Sequence, residues 1–282
     1  MAKVKERTMH IVFLVAACMS ILAVAMICLF MFANGVPAIR KIGFVNFIFG
    51  KTWMPGANKF GIFPMIIGSI YVTAGAIIIG VPIGLLCAIF MAKFCPPKLH
   101  RIMKPAVDLL AGIPSIVYGF FGLVVITPMV RNAFGGSGKN ILTACILLGI
   151  MILPTIISVS ESAIRAVQES NYEGALALGD THERSVFKAV LPAAKSGILA
   201  AIILGIGRAI GETMAVIMIA GNHPVLPDSL LAGVRTLTSN IVLELGYATD
   251  RKYRDRDGIC NRASQRSIDC NRCCSVRIYF DY

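Results

Sequence analysis

Five long apolar blocks dominate the pattern of hydrophobic and polar positions along this chain. Their apolar residues run continuously rather than alternating with polar ones, which favours buried helices over strands. At about 1.5 Å per residue, each block is long enough to cross roughly 30 Å of hydrocarbon. The pattern therefore predicts an all-α bundle of five transmembrane helices at about residues 11–33, 64–92, 106–130, 141–160 and 197–221.

Composition and charge agree with a membrane protein. Hydrophobic residues make up 56% of the 282-residue chain and charged residues only 15%, which is too apolar for an ordinary soluble domain. A basic leader with Lys3, Lys5 and Arg7 precedes the first block. That block is too long for the core of a signal peptide, so we expect an uncleaved anchor with a cytoplasmic N-terminus. The net charge of +12 is interpreted as basic residues that flank the helices where they meet the membrane lipid. No nucleic acid is expected as a partner.

Two charged residues interrupt the fifth block, in the stretch GRAIGETMAV at 207–216. Arg208 is expected near mid-depth, where a lone charge costs several kcal/mol. Glu212 follows at i+4, so the two side chains are expected to share one face and to neutralise each other in part. A structural ion pair is one interpretation. We favour a substrate-pathway site, because intramembrane ionisable residues usually mark a route and the arginine fork suits an oxyanion such as phosphate.

The same block carries small residues at every fourth position. Such ridges allow helices to approach closely. The charged residues are therefore expected to face the bundle interior or a water-filled cavity rather than lipid. The ridge residues are Gly197, Ala201, Gly205 and Ala209.

A segment at about 161–196 separates the fourth and fifth blocks and is expected in the cytoplasm. Its sequence predicts two short helices that are separated by Gly179. Asp180 or Thr181 is the expected cap of the second helix, and Pro192 leads the chain back to the membrane. One side of the second helix is apolar. Docking of this segment on a partner is the favoured interpretation, and packing on the chain's own bundle is the alternative.

The sequence EGALALGDTHERSVFKAVLP at 173–192 resembles the EAA loop of ABC-transporter permeases. Five positions fall in register with that motif, whereas Gly174 and Ala189 depart from its general form. Two further segments resemble the phosphate-specific transport permeases, and the PstC-type subunit in particular. They are AGIPSIVYG at 111–119 and LGIGRAIGETMAVIMIAGN further along the chain. The resemblance spans about 64–250. The residues in register are Glu173, Ala175, Gly179, Leu191 and Pro192.

That resemblance implies the fold, the partners and the site. The fold is a type I, MetI-like importer permease, and Arg208 and Glu212 are the charged residues of the phosphate path. The partners are a second homologous permease of the PstA type, two ATP-binding subunits and an extracytoplasmic phosphate-binding protein. The EAA loop is the helix that couples the permease to the ATPase. ATP and magnesium belong to those partner subunits, and this chain is expected to bind no cofactor or metal.

Other function classes have less support in the sequence. The stretch GGSGKN at 135–140 lacks the spacing of a phosphate-binding loop, and the apolar blocks contain no converging catalytic groups of the kind an enzyme needs. We therefore expect a transport subunit, not an enzyme, in a bacterial or archaeal cytoplasmic membrane. A permease for another oxyanion, such as sulfate or molybdate, is the nearest alternative.

Three regions are predicted along the chain. Residues 1–63 form an anchor helix and an external loop, residues 64–250 form the permease domain, and residues 251–282 form a basic tail with four cysteines. The cysteines lack the spacing of a known zinc site. The family pattern places a sixth helix where this tail lies. We interpret this difference as the result of a reading-frame shift, which the DNA sequence would test. An authentic tail would instead make the chain a truncated remnant that does not transport.

Overall fold

The structure is a computed structural model, and it describes residues 2–55 and 59–245, with side chains from residue 9 onward. The predictions for the tail at 251–282 lie outside the described residues. The described helices are α1 Ala2–Ile42, α2 Phe44–Phe49, α3 Phe63–Ile89, α4 Pro97–Gly112, α5 Ser115–Phe121, α6 Thr127–Phe134, α7 Ile141–Arg165, α8 Glu169–Ala177, α9 His182–Ser185, α10 Leu191–Gly211, α11 Met214–Ile219 and α12, residues 237–245. Turns of π-helix extend α3 and join α5 to α6 and α9 to α10, at Phe90–Phe94, Gly122–Ile126 and Val186–Val190.

The predicted all-α class with five candidate membrane helices is confirmed within the described residues. Five helical runs there are long and apolar enough to cross a membrane, and none carries the alternating pattern of a strand. These runs are Met9–Ile42, Phe63–Phe94, Ser115–Phe134, Ile141–Arg165 and His182–Gly211.

Besides the first span, whose end is described below, two of the predicted spans have wrong boundaries. The third was placed at 106–130, but the chain breaks at Ile113, whose extended backbone (φ −69°, ψ 128°) precedes Pro114. A residue before proline avoids the helical region because the proline ring would clash with it. The fifth was placed at 197–221, but its helix begins at His182 and ends at Gly211. Thr181 caps the start of this run, and the hydroxyl of the distant Thr238 pairs with the carbonyl of Glu212 just beyond its end.

The chain divides into two compact units, the first being Met1–Pro64. In this unit α1 extends to Ile42, well beyond the predicted end at residue 33, and Met9–Ile42 has no buried residue. The predicted external loop contains α2 and a two-residue antiparallel ladder in which Trp53 pairs with Phe60. The ladder is a short exception to the predicted absence of strands.

The second unit begins at Met65 and is built around α7. Buried side chains of α7 form the centre of its main hydrophobic core, and α10 packs along α7 through the predicted small-residue ridge. A Cβ atom added at Gly197 would lie 2.4 Å from the Cβ of Ala163, so these two helices approach too closely for a larger side chain. Ala201 and Ala209 on the same ridge are buried. The prediction that this ridge contacts a neighbouring helix is therefore confirmed.

The segment between α11 and α12 covers the N-terminal end of α7. The backbone N–H of Ile141 donates to the carbonyl of Ala232 at 3.1 Å, and that of Leu142 donates to Leu230 at 3.0 Å. Two of the otherwise unpaired N–H groups of the first turn are thus satisfied. This contact fixes α12 relative to the bundle core.

Candidate functional site

The candidate site lies at a break in the fifth span. Arg208 occupies the last turn of α10, which ends at Gly211. Glu212 has an extended backbone (φ −69°, ψ 129°), and α11 starts two residues later at Met214. The prediction of one continuous helix through this stretch is therefore wrong. Non-helical backbone within hydrocarbon occurs only where it is buried in protein or lines a cavity.

Side chains satisfy the polar groups that this break exposes. The hydroxyl of Thr238 on α12 donates to the carbonyl of Glu212 at 3.0 Å, and the hydroxyl of Thr213 donates to the carbonyl of Gly211 at 3.2 Å. The Oε1 atom of Glu212 accepts from the backbone N–H of Ala215 at 3.1 Å, so its carboxylate caps the start of α11. An unpaired backbone group in hydrocarbon costs several kcal/mol, and these three bonds explain why the break is stable.

A hydroxyl of α7 holds the Arg208 side chain. Its Nη1 atom donates to Oγ1 of Thr155 at 3.1 Å. Thr155 lies 14 residues after the first residue of α7 and 10 before the last. At 1.5 Å per residue this is about 21 Å from one end of the helix and about 15 Å from the other. The guanidinium therefore lies beside the middle of α7.

The predicted contact between Arg208 and Glu212 is wrong. No carboxylate of the described residues lies within 4.0 Å of an Arg208 nitrogen. The i+4 spacing does not bring the two side chains together, because the helix ends between them and Glu212 turns to cap α11. Arg208 makes one hydrogen bond to the part of the chain that is described, and a guanidinium has five donors. It therefore keeps both a charge and several donors for an external anion.

The predicted coupling residues lie at the opposite end of α10 from Arg208. Glu173 and Ala175 are on α8, and Gly179 follows α8 with a φ of +90°, a left-handed conformation that favours glycine. Leu191 and Pro192 lie inside the continuous run His182–Gly211. Thus the predicted separation at Gly179 is observed, and Pro192 lies within the helical run that forms the fifth candidate span.

A side-chain cap explains where the second helix of this segment begins. The hydroxyl of Thr181 accepts from the N–H of Arg184 at 3.4 Å, which makes Thr181 the predicted cap. The carbonyl of Thr181 also accepts from Ser185. From this point the helix continues into α10 without interruption.

The apolar side chains of this segment divide into two groups. Val186 and Val190 are buried in a cluster with Ile164 of α7, so part of the segment packs on its own bundle. Leu178 is 90% exposed and Phe187 is 53% exposed. The second group remains an open apolar surface within the described chain.

A cluster of charges between α4 and α7 has no counterpart in the sequence-based predictions. Glu161 of α7 is buried, and its Oε1 atom lies 2.6 Å from Nε2 of His100 and 3.0 Å from Nε of Arg165. Its Oε2 atom lies 3.3 Å from Nζ of Lys104. The sequence did contain a signal for this cluster. His100, Lys104 and Asp108 recur at every fourth position of α4 and therefore share one face of the helix. Their partner on α7 could not be found from that spacing.

The described residues contain no group of three or more His, Cys, Asp or Glu side chains that could hold a metal ion. The chemistry that the residues around Arg208 offer is cationic and hydrogen-bonding. It consists of a half-buried guanidinium, nearby hydroxyls and a capped helix break.

Comparison with known proteins gives a consistent result. Residues 80–243 match the family described as binding-protein-dependent transport system inner membrane component. The chain is 37% identical to the probable ABC transporter permease protein YqgH of Bacillus subtilis (strain 168), over 84% of this chain and 79% of that protein. It is 35% identical to the phosphate transport system permease protein PstC of Mesorhizobium japonicum, over 79% of this chain and 74% of that protein.

Another relative and a solved structure are also similar. The phosphate transport system permease protein PstC of Xylella fastidiosa (strain 9a5c) is 34% identical, over 83% of this chain and 78% of that protein. A structure of the MetNI methionine ABC transporter in inward-facing conformations aligns with a TM-score of 0.48 at 22% identity, over 67% of this chain and 92% of that one.

Proposed function

Since this chain belongs to the family of binding-protein-dependent transport system inner membrane components, we propose that it is the PstC-type permease subunit of an ATP-driven importer of inorganic phosphate. Relatives that bear the name of phosphate permease support the substrate. The GRAIGETMAV stretch supports it independently, because its arginine meets the requirements of an oxyanion site.

One observation carries the proposal. The guanidinium of Arg208 lies beside the middle of α7 on a hydroxyl partner, and no carboxylate of the described residues is within ion-pair distance. An unpaired cation in a membrane-spanning segment is costly, and such residues usually mark a substrate or ion pathway. Phosphate accepts hydrogen bonds through several oxygens, and the planar guanidinium can donate two parallel bonds to it.

Glu212 contributes to this site through the backbone. Its carboxylate caps α11 and so keeps the break open next to Arg208. Its negative charge also lies in the same stretch of chain as the guanidinium, and it limits how tightly the site holds an anion at rest. Fast release requires such a limit, because an anion that binds too tightly is not transported.

The importer needs partners that this chain does not supply. A homologous PstA-type permease forms the other half of the pathway, and an extracytoplasmic phosphate-binding protein delivers the anion. Two ATP-binding subunits hold ATP and magnesium and dock on the α8 end of the bundle, which faces the cytoplasm together with the N-terminus. The predicted coupling residues Glu173, Ala175, Gly179, Leu191 and Pro192 belong to that surface, and the exposed Leu178 gives it an apolar contact.

The transport cycle follows from this arrangement. ATP binding brings the two ATPase subunits together, and the α8 segment transmits their movement to α10 because His182–Gly211 is one helical run. Arg208 lies at the far end of that run, so movement at the α8 end changes which side of the membrane the guanidinium faces. The anion is bound from outside and released inside.

Uptake by the assembled transporter tests the substrate. The chain is co-expressed with its partner subunits, and entry of radiolabelled phosphate into proteoliposomes is measured with sulfate or molybdate as competitors. We expect uptake that requires ATP and that neither competitor reduces at equal concentration. Uptake of sulfate or molybdate in place of phosphate would overturn the proposed substrate, and no ATP-dependent uptake of any of the three would overturn the transport function.

A further inference from the structure

A polar face of α7 connects the Arg208 site to the charge cluster near the α8 end of the bundle. Thr155 receives the hydrogen bond of Arg208, and Ser158 receives one from Nζ of Lys104 at 3.2 Å. Residues three apart share one face of a helix, and these two are separated by about 4.5 Å along its axis. Two cationic groups are therefore anchored at successive turns of the same helix face.

Lys104 has three polar partners that differ in how firmly they are held. Besides Ser158, its Nζ atom lies 3.3 Å from Oε2 of Glu161 and 3.5 Å from Oδ1 of Asp108. The Glu161 side chain is only 4% exposed and also binds His100 and Arg165, so it is fixed. The Asp108 side chain is 54% exposed and makes the longest of these contacts with Lys104. Its Oδ1 atom also accepts a hydrogen bond from Ser158 at 3.4 Å, and that hydroxyl becomes available when Asp108 is displaced.

Asp108 therefore occupies a place that another anion can take. Exposed ion pairs between neighbouring turns of a helix contribute little to stability, so exchange of the Asp108 carboxylate for an incoming oxyanion costs little. Lys104 itself is 31% exposed, which leaves room for that approach. The buried Glu161 stays in place during the exchange because its contacts with His100 and Arg165 hold it.

We propose that Lys104 forms a second anion-binding site, on the cytoplasmic side of Arg208, which an oxyanion of the phosphate class occupies by displacing Asp108 before it is released. This proposal rests on the proposed function of the chain as an anion importer. The ammonium group of Lys104 binds the anion, Ser158 donates a further hydrogen bond to it, and Glu161 orients Lys104. Arg208 and Lys104 then act in sequence.

Charge restoration at position 104 tests the proposal in the assembled transporter. Lys104→Gln and Lys104→Cys are compared with Lys98→Gln, which removes a charge from an exposed position of the same helix. We expect phosphate uptake to fall about tenfold or more in both Lys104 variants and to change less than about twofold in Lys98→Gln, because only Lys104 meets the anion. Co-purification of the ATP-binding subunits reports on assembly.

The Lys104→Cys transporter is then treated with two thiol reagents. Aminoethyl methanethiosulfonate adds an ammonium group, and methyl methanethiosulfonate adds a neutral group of smaller size. We expect the first reagent to restore uptake and the second to leave it low, and we expect phosphate to slow the first reaction. The unsubstituted chain receives both reagents as a control, because it contains nine cysteines.

The results separate a binding site from a structural contact. If Lys104 only packs α4 against α7, restoration will not depend on the charge of the reagent, and equal recovery with both reagents or recovery with neither overturns the proposal. Uptake at the unsubstituted level in Lys104→Gln overturns it as well. Arg208→Gln is assayed in parallel: if that variant loses uptake while Lys104→Gln keeps it, the proposed function stands and only the second site fails.

Discussion

Single hydroxyl groups determine the geometry around Arg208. Thr155 accepts its hydrogen bond, and Thr238 donates to the carbonyl that the helix break exposes. Neither residue is charged, and neither lies in the GRAIGETMAV stretch. The site is therefore assembled from three separate helices, α7, α10 and α12, although its recognisable residues all lie in one.

Thr155→Val tests the hydroxyl that positions the guanidinium. Valine has nearly the same shape but cannot accept a hydrogen bond, so Arg208 loses the contact that fixes its orientation. We expect phosphate uptake to fall about tenfold, since a hydrogen bond to a charged group contributes roughly 1.5–3 kcal/mol. Ser162→Ala removes an exposed hydroxyl from the same helix and is expected to transport normally. Equal uptake by both variants would contradict this role of Thr155.

Thr238 is expected to stabilise the break itself. Thr238→Val leaves the carbonyl of Glu212 without its donor, which costs about 1–3 kcal/mol when the group is buried. We expect a lower midpoint of thermal unfolding in detergent, together with reduced uptake. Thr238→Ser keeps the hydroxyl and should retain both. A serine variant as impaired as the valine variant would show that the threonine methyl group, and not the hydrogen bond, matters.

At the scale of helices, apolar continuity was sufficient to predict the number of spans but not their ends. A continuous apolar run does not distinguish an unbroken helix from one whose break is satisfied by a distant side chain. Thr238 lies 26 residues beyond the carbonyl that it caps, so the end of α10 at Gly211 could not be read from local sequence. The break at Ile113, by contrast, has a local cause in Pro114 and was within reach of sequence analysis.

Close packing between α7 and α10 makes Gly197 intolerant of a side chain. A leucine at this position would clash with Ala163, and overpacking of this kind costs about 1–3 kcal/mol. We expect Gly197→Leu to lower the midpoint of thermal unfolding in detergent. Gly207→Leu is the matched control, because nothing lies within 4 Å of a Cβ atom at Gly207. A control variant destabilised as much as Gly197→Leu would contradict the packing argument.

The exposed apolar surface next to α8 is expected to bind the ATPase subunits. Leu178→Asp places a charge where an apolar contact is proposed, and we expect much less of the ATP-binding subunit to co-purify with the chain. Ser170→Asp adds the same charge at an exposed position of α8 and should leave co-purification unchanged. Retention of the ATPase by Leu178→Asp would place the docking surface elsewhere.

At the scale of the whole molecule, the chain is a member of a family of membrane transport components. The resemblance to ABC importer permeases that the sequence indicated is confirmed by the family match and by relatives above 30% identity. The mid-depth position of Arg208, inferred from its distance along an apolar block, stays a prediction. That no carboxylate of the described residues lies within ion-pair distance of Arg208 was not predicted, because the i+4 rule assumes that the helix continues through Glu212.

The central claim is that Arg208 binds the transported anion, and phosphate uptake by Arg208→Gln tests it most directly. Uptake is measured in proteoliposomes that contain the partner subunits, beside Lys195→Gln, which removes an exposed charge from the same helix. Loss of a buried charge contact predicts a fall of about a hundredfold in Arg208→Gln, while the ATP-binding subunits still co-purify and Lys195→Gln transports normally. Unchanged uptake by Arg208→Gln would contradict the account and leave Arg208 as a residue of helix packing.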